Sequence, residues 1–415
     1  MNQEHFLIAF SIVKKLQEVG YTAYFAGGWV RDYIMQSPSD DIDIATSARV
    51  EDIQSLFSNT IPLGISFGIV VVVEQGYRFE VATFRTDEGY VDGRRPTSVI
   101  WANPEEDAKR RDFTINGMFY DPVTREVHDF VGGLKDLKKG IIRTIGNAYT
   151  RLQEDKLRMM RAVRYSIRFS FPIDQEALEA ISSLAPTLLP DVAMERIWQE
   201  LKKMSFSPHF EAALILLHQL HLLPTIFPSL KETSLEEIQS LVKNILLFPR
   251  ETPTILQLLE LFPHFSLRES LDLCDYLKSS KSDKRLLQWY HHVKNLFYLT
   301  SLWREKLEPL EWAYLYAHPD TQLILELLAS RLIEPEKLAF LKECSTHQEL
   351  LQKAILRIQT KNPVLRAKDL IKEGIKPGKK MGLLLKEAEK ISVDQGIDNP
   401  EQVIKILKSS STHWS

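Results

Sequence analysis

Apolar positions along this chain follow two rhythms. Up to about Thr144, short runs rich in β-branched and aromatic residues, at Tyr21 to Ala26, Ile42 to Ala45, Phe67 to Val73 and Arg78 to Thr83, alternate with short helical stretches. They predict a small α/β head. Beyond about Ala148 strand signals vanish. Apolar residues then return at spacings of three and four, as in Leu157, Met160, Val163 and Ile167, and again from Leu214 to Leu223. The rest of the chain is therefore predicted to be helical. Breaks near Pro186, Pro190, Pro208, Pro228, Pro249 to Pro253, Pro309, Pro319 and Pro363 divide it into packets. No repeat of fixed period is visible.

At 415 residues the chain is long enough for several packed units. With 44% hydrophobic and 26% charged residues it reads as globular. No run of about 18 uncharged apolar residues exists to span a bilayer, so no membrane segment is expected. The start, MNQEHFLIAF, lacks the basic stretch and cleavage site of a secretory signal. Only two cysteines, Cys274 and Cys344, are present, which suits a reducing compartment and cannot make a metal cluster. A cytoplasmic protein is expected, with its oligomeric state left open. The net charge of −3 argues against indiscriminate coating of nucleic acid, yet two local basic patches stand out. Arg151 to Arg168 holds six basic residues against two acids, and Lys361 to Lys390 nine against four. Either patch taken alone reads as well as a solvated face.

The densest chemistry lies in Phe25-Ala-Gly-Gly-Trp-Val-Arg-Asp32 followed by Asp40-Asp-Ile-Asp-Ile-Ala-Thr46. The order is strand, glycine turn, short helix and acidic strand. Alternation puts Asp41 and Asp43 on one face and Ile42 and Ile44 in the core. Two adjacent carboxylates repel unless a cation lies between them, and Mg2+ takes oxygen ligands while bridging phosphates, so the pair suggests a two-metal phosphoryl-transfer site. Gly27 and Gly28 would let the backbone approach a triphosphate, and Arg31 would pair with its oxygens. A third carboxylate is expected nearby. Glu80 alternates correctly with Phe79 and Val81, and Asp112 competes for the role.

These motifs resemble those of the DNA polymerase β-type nucleotidyltransferases, specifically the class II CCA-adding enzymes and bacterial poly(A) polymerases. Lys109-Arg-Arg-Asp-Phe-Thr-Ile-Asn116 is similar to the family's RRDFTxN element, which implies that Arg111, Asp112 and Asn116 hold the triphosphate and sugar. His128 to Leu134 resembles its DxxGG turn. Arg85 to Pro96, with Asp87, Tyr90, Asp92, Arg94 and Arg95, resembles the flexible loop of enzymes able to finish with A. Glu195-Arg-Ile-Trp-Gln-Glu200 resembles the ERIxxE element that closes the nucleotide pocket.

In Glu154-Asp-Lys-Leu-Arg-Met-Met-Arg-Ala-Val-Arg164, spacing predicts one helix with Asp155, Arg158 and Arg161 on a shared face. Acceptors and donors side by side can match a base edge, so a protein can select a nucleotide without a template. An ordinary Asp155–Arg158 ion pair is the plainer reading. The resemblance implies that Asp155 and Arg158 read C or A, with Arg161 and Arg164 serving base or phosphates. Gly374-Ile-Lys-Pro-Gly-Lys-Lys-Met-Gly382 is similar to the family's late GxxPGxxxG turn, with Lys379 where a second proline is usual. Lys376, Lys379 and Lys380 there are candidate tRNA contacts. Trp289, Tyr290, Trp303, Trp312 and Tyr314 are assigned to core packing.

The implied fold is α+β: a polymerase β-type nucleotidyltransferase head with a small mixed sheet over 1–146, then an all-α neck over 147–206, body over 207–305 and tail over 306–415. The implied activity is addition of CCA from CTP and ATP to tRNA, gripped at its acceptor arm and 3′ end, with Mg2+ at Asp41 and Asp43. Poly(A) synthesis, A-only addition and a non-catalytic RNA-binding protein are the alternatives. Leu63 to Ile69 lacks the basic-aromatic element of poly(A) polymerases.

Overall fold

The computed structural model describes residues 3–37, 39–64, 67–90, 96–298 and 307–414, with the side chains of 87–90, 96–98 and 298 outside that description. Asp92, Arg94, Arg95 and Trp303, and the side chains of Asp87 and Tyr90, thus lie outside the described residues. The chain folds into two compact units, Met1–Val242 and Lys243–Ser415.

The first unit is built on β-branched runs that pair into one sheet. Its elements begin with α1 (Gln3–Glu18), β1 (Ala23–Ala26), α2 (Gly28–Ile34), β2 (Asp43–Thr46), α3 (Val50–Leu56), β3 (Thr60–Gly64), β4 (Ile69–Glu74) and β5 (Tyr77–Thr83). A separate hairpin, β6 (Arg85–Tyr90) and β7 (Pro96–Trp101), leads to α4 (Pro104–Lys109), β8 (Phe119–Asp121), β9 (Glu126–His128) and α5 (Gly133–Lys139). Seven strands order as β3-β4-β5-β2-β1-β8-β9, with β2 and β5 parallel and the other neighbours antiparallel. This is the expected mixed sheet. Period-two burial explains it: Val70, Val72, Phe79 and Val81 are fully buried, while Arg78 and Glu80 face outward. The apolar stripe Ile8, Ile12 and Leu16 of α1 packs against β1 and β2.

Helices follow: α6 (Ala148–Glu154), α7 (Leu157–Phe169), α8 (Gln175–Leu184), α9 (Met194–Ser205), α10 (Phe210–Gln219), α11 (Leu222–Ile226) and α12 (Leu235–Val242). Leu157, Met160 and Val163 are buried as their spacing predicts, and α7 packs on α9 and α10. The Leu214 to Leu223 run is not one helix. His221 adopts a left-handed φ of 60°, which ends α10 and starts α11.

The second unit is helical: α13 (Thr254–Leu258), α14 (Leu267–Tyr276), α15 (Lys281–Tyr298), α16 (Pro309–Ala317), α17 (Thr321–Ala329), α18 (Glu336–Gln359), α19 (Ala367–Lys372), α20 (Lys379–Gln395) and α21 (Pro400–Ser410). Tyr290 and Trp312 are buried, and Trp289 stacks on His318 while its Nε1 donates to Thr321 Oγ1 at 3.0 Å. Tyr314 corrects the core assignment: it is 53% exposed, on the face of α16 opposite to that of Trp312. Both cysteines are buried and unpaired with each other. No described helix is long and apolar enough to cross a membrane.

Candidate active site

Strand β1 ends in Ala26, and the chain must turn at once into α2. Gly27 makes that turn at φ 68° and ψ −134°, a conformation side chains strongly disfavour. A Cβ there would sit 3.2 Å from Arg111 Nη1 and 3.9 Å from Asp43 Oδ2. The bare backbone is thus where a carboxylate and a guanidinium converge. Asp43 opens β2 opposite Ala26. Ile42 and Ile44 are buried on the other side, as alternation predicts, although Asp41 precedes the strand and is exposed. The parallel register pairs Ile44 with Val81, so Glu80 falls level with Asp43. Burial first, then the charges of Asp41 and Glu80, push the Asp43 carboxyl up to about 6, against the lowering pull of Arg111.

Three carboxylates therefore crowd one edge, with Arg111 to offset them. This donor set fits Mg2+, which takes oxygen ligands and binds through one or two carboxylates plus substrate phosphates. Among the described residues no group of three or more His, Cys, Asp or Glu is placed to hold a metal ion.

Asp112 is placed differently. It is buried against Arg161, whose Nε and Nη2 donate to Oδ2 at 2.8 and 2.5 Å, while Phe113 N and Asn116 Nδ2 donate to Oδ1. Although burial raises its pKa, Arg161 outweighs this and holds the carboxyl at about 2. Between Glu80 and Asp112, the geometry puts Glu80 beside Asp43 and Asp112 in an ion pair. Because its folded pKa lies below the ordinary 3.8, Asp112 contributes stability that is complete above about pH 4 and lost as pH falls toward 2. The contribution is about 2 kcal/mol. Asp112→Asn is expected to destabilise the protein at pH 7 by about 3 kcal/mol or more, because Arg161 loses its partner. In urea unfolding the gap from wild type should narrow as pH falls from 5 to 3. A constant gap across that range would refute the assignment.

Arg31 is buried beneath the glycine turn rather than open to the cavity. Its Nε donates to Asp32 Oδ1 at 2.8 Å, its Nη1 donates to Asn116 Oδ1, and its guanidinium lies over the Phe169 ring at 4.5 Å. It orients Asn116, which does line the cavity. Arg111 is held in turn by Asp107, a residue that no sequence motif marks. Asp107 accepts from Arg111 Nε and Nη2 at 3.1 and 2.9 Å and from Arg110 Nε at 2.9 Å. The four-residue spacing of Asp107 and Arg111 was the signal available for it.

A cavity of about 620 Å3 runs from Gly27, Gly28, Asp43 and Arg111 to Asp155, Arg158 and Arg161. The expected single helix is broken here. Asp155 caps α6 in extended geometry and accepts from Leu157 N at 3.1 Å, starting α7 afresh. It therefore shares no helix face with Arg158, and its basic neighbour is Arg196 at 3.5 Å. Arg158 donates instead to Glu154 at 2.8 Å and to the carbonyls of Arg151 and Arg110 at 2.7 and 3.1 Å. Both line the cavity all the same. Arg164 does not: it is tied to buried Glu200 at 2.6 Å, joining α7 to α9. Arg196, Gln199 and Glu200, from the predicted closing element, and Lys203, which falls outside that element, complete the wall. Lys376, Lys379 and Lys380 belong to the second unit. All three are exposed around the turn into α20, where Gly374 takes φ 84°.

A glycine turn against an acidic strand in a small mixed sheet, followed by helices, defines a polymerase β-type nucleotidyltransferase. The poly A polymerase head domain matches residues 23–143, and the probable RNA and SrmB-binding site of polymerase A matches residues 170–233. The CCA-adding enzyme of Streptococcus pyogenes serotype M2 is 32% identical over 398 residues, covering 94% of this chain and 93% of that protein. The Bacillus stearothermophilus CCA-adding enzyme, solved in complex with CTP, superposes with a TM-score of 0.76 at 27% identity, over 99% of both chains. A Thermotoga maritima CCA-adding enzyme complexed with tRNA shares the fold at a TM-score of 0.62 and 21% identity, over 98% of this chain and 96% of that one. The chain belongs to the CCA-adding enzymes, a family of tRNA nucleotidyltransferases.

Proposed function

We propose that this enzyme adds C, C and A in turn from CTP and ATP to the 3′ end of tRNA, releasing pyrophosphate at each step. The observation that carries this reading is the continuity of one cavity from the carboxylate edge at Asp43 to the donor and acceptor groups of Asp155 and Arg158. A nucleotide laid along it has its phosphates at Gly27, Gly28 and Arg111 and its base at the α6–α7 break. The helical wall then does the work of a template. The known activities of the relatives, including those solved with CTP, ATP and tRNA, support the same choice.

Asp41 and Asp43, with Glu80 beside them, would hold Mg2+. Bound there, the metal supplies Lewis-acid activation of the ribose hydroxyl and charge neutralisation on the leaving pyrophosphate. The protein's own residues position and select. Arg111, braced by Asp107, offsets triphosphate charge, and Gly27 and Gly28 admit it to the backbone. Asn116, oriented by Arg31 and Asp112, faces the sugar. Arg161 serves through its pairing with Asp112, and Arg164 through Glu200, by fixing α7 beside the base. In this reading residues 1–146 are the catalytic head, 147–206 the neck that reads the base, 207–305 the body, and 306–415 a tail whose Lys376, Lys379 and Lys380 meet the tRNA acceptor arm. A tRNA substrate is in keeping with a cytoplasmic enzyme.

The test is extension of tRNA lacking its 3′ end, with Mg2+ and CTP, ATP or both, resolved at single-nucleotide length. Ordered addition of C, C and one A that then stops is the expected result. Long A tails on arbitrary RNA would make it a poly(A) polymerase, and an absence of extension would leave a non-catalytic RNA-binding protein.

A further inference from the structure

The second unit holds a groove of about 610 Å3 that the catalytic reading does not use. Its floor is a buried ion pair: Arg357 Nε donates to Glu389 Oε1 at 2.8 Å, and Glu389 Oε2 accepts from Val364 N at 2.9 Å. The floor is therefore neutral and satisfied, and it gives the groove a fixed shape. Ile358 and Leu385 provide apolar wall, and the ring of Tyr314 stands at the groove, 53% exposed. A tyrosine spared from the core beside an apolar slot offers an open stacking surface. The rim is one-signed. Lys361, Arg366 and Lys386 are all exposed, and Lys361 and Lys386 have no acidic partner among the described residues. Arg366 donates to a neutral oxygen, Asn362 Oδ1, at 2.6 Å.

An apolar slot with an exposed aromatic and a cationic rim is complementary to an unpaired nucleotide, whose base stacks and whose phosphates meet the cations. We infer that this groove is a binding socket for an unstacked nucleotide of the RNA substrate, with the base on Tyr314 and the flanking phosphates on Lys361, Arg366 and Lys386. The inference rests on the tRNA function proposed for the enzyme and adds to it a site separate from the lysine turn at 376–380. The groove lies in the unit that carries none of Asp41, Asp43 and Glu80, so it acts on affinity for RNA and not on chemistry.

The experiment uses the full chain and tRNA lacking its 3′ end. Tyr314→Ala is expected to raise the KM for tRNA roughly five- to a hundredfold, the range for removal of one base–aromatic stack. The kcat and the KM for CTP should stay within about twofold of wild type, and Tyr314→Phe should restore tRNA binding because the ring is kept. The surface variant K361E/K386E should raise the same KM and lower the slope of log affinity against log salt by roughly 0.7 to 0.9 for each phosphate no longer neutralised. Unchanged tRNA affinity in both variants would overturn the inference, and would point to an apolar peptide or no occupant at all. That failure is distinct from failure of the tRNA function, in which the wild-type enzyme itself extends nothing.

Discussion

Asp43→Asn is expected to lower the rate of nucleotide addition by about a thousandfold or more while leaving the fold intact. Asparagine keeps the size of the side chain and the register of β2 opposite Ala26, so the sheet has no reason to change. What disappears is one charged ligand. Charge stabilisation by a bound metal is worth several kcal/mol, and each 1.36 kcal/mol is tenfold in rate. The structure adds a second, less obvious expectation. Asp43 is held at about 6 because burial and the neighbouring Asp41 and Glu80 oppose its charge. Without metal, its ionised form therefore works against folding, and the metal-free variant should melt at the same temperature as wild type or higher. Rapid-quench extension assays and thermal melts in chelator measure the two effects together. A variant that kept its rate would remove Asp43 from the site. A variant that slowed and also melted well below wild type would show a structural role instead.

Asp155→Ala is expected to cost discrimination rather than chemistry. A hydrogen bond to a charged group is worth about 1.5–3 kcal/mol, so preference for CTP over UTP should fall roughly ten- to a hundredfold in kcat/KM. The side chain reaches Leu157 N at 3.1 Å and Arg196 at only 3.5 Å, which leaves acceptor capacity facing the cavity. If Asp155 served only to accept from Leu157 N at the α6–α7 break, the variant would lose stability by about 1 kcal/mol and keep its selectivity. Arg158→Ala is a poorer probe, because Arg158 also ties Glu154 and two backbone carbonyls together and its removal would loosen the α6–α7 break.

Much of this site is legible in the sequence because it is local. The glycine turn and the acidic strand lie within twenty or so residues, and period-two alternation sets Asp43 apart from buried Ile42 and Ile44, although Asp41 lies just ahead of the strand. Four strands of the head are visible as β-branched runs, and so is the helical remainder. The other strands are not: β3 carries Pro62 and Gly64, β6 falls in the stretch that resembles a flexible loop, β7 starts at Pro96, and the three residues of β8 and of β9 carry too little pattern to stand out from a turn. Misreadings arise where a side chain competes with the helix for backbone groups, or where an aromatic residue falls on the outer face of its helix. Asp155 breaks a helix that spacing draws as continuous, and Tyr314 leaves the core that its aromatic neighbours share.

Residue order along the chain was enough for the alternation of strands, the glycines at the turn and the carboxylates that follow, since each depends on contacts a few residues apart. Which carboxylate joins Asp43, and which arginines are open to a ligand, depended on pairings across dozens of positions. Glu80 comes level with Asp43 only through the parallel register of β2 and β5, and Asp112 is withdrawn only because Arg161, on α7, reaches back to it. Arg31 and Arg164 look like phosphate ligands in one dimension, and burial beside Asp32 and Glu200 makes them braces. The physical reason is that the free energy of a charge is set by its desolvation and its nearest partners. Those exist only once distant segments have packed together.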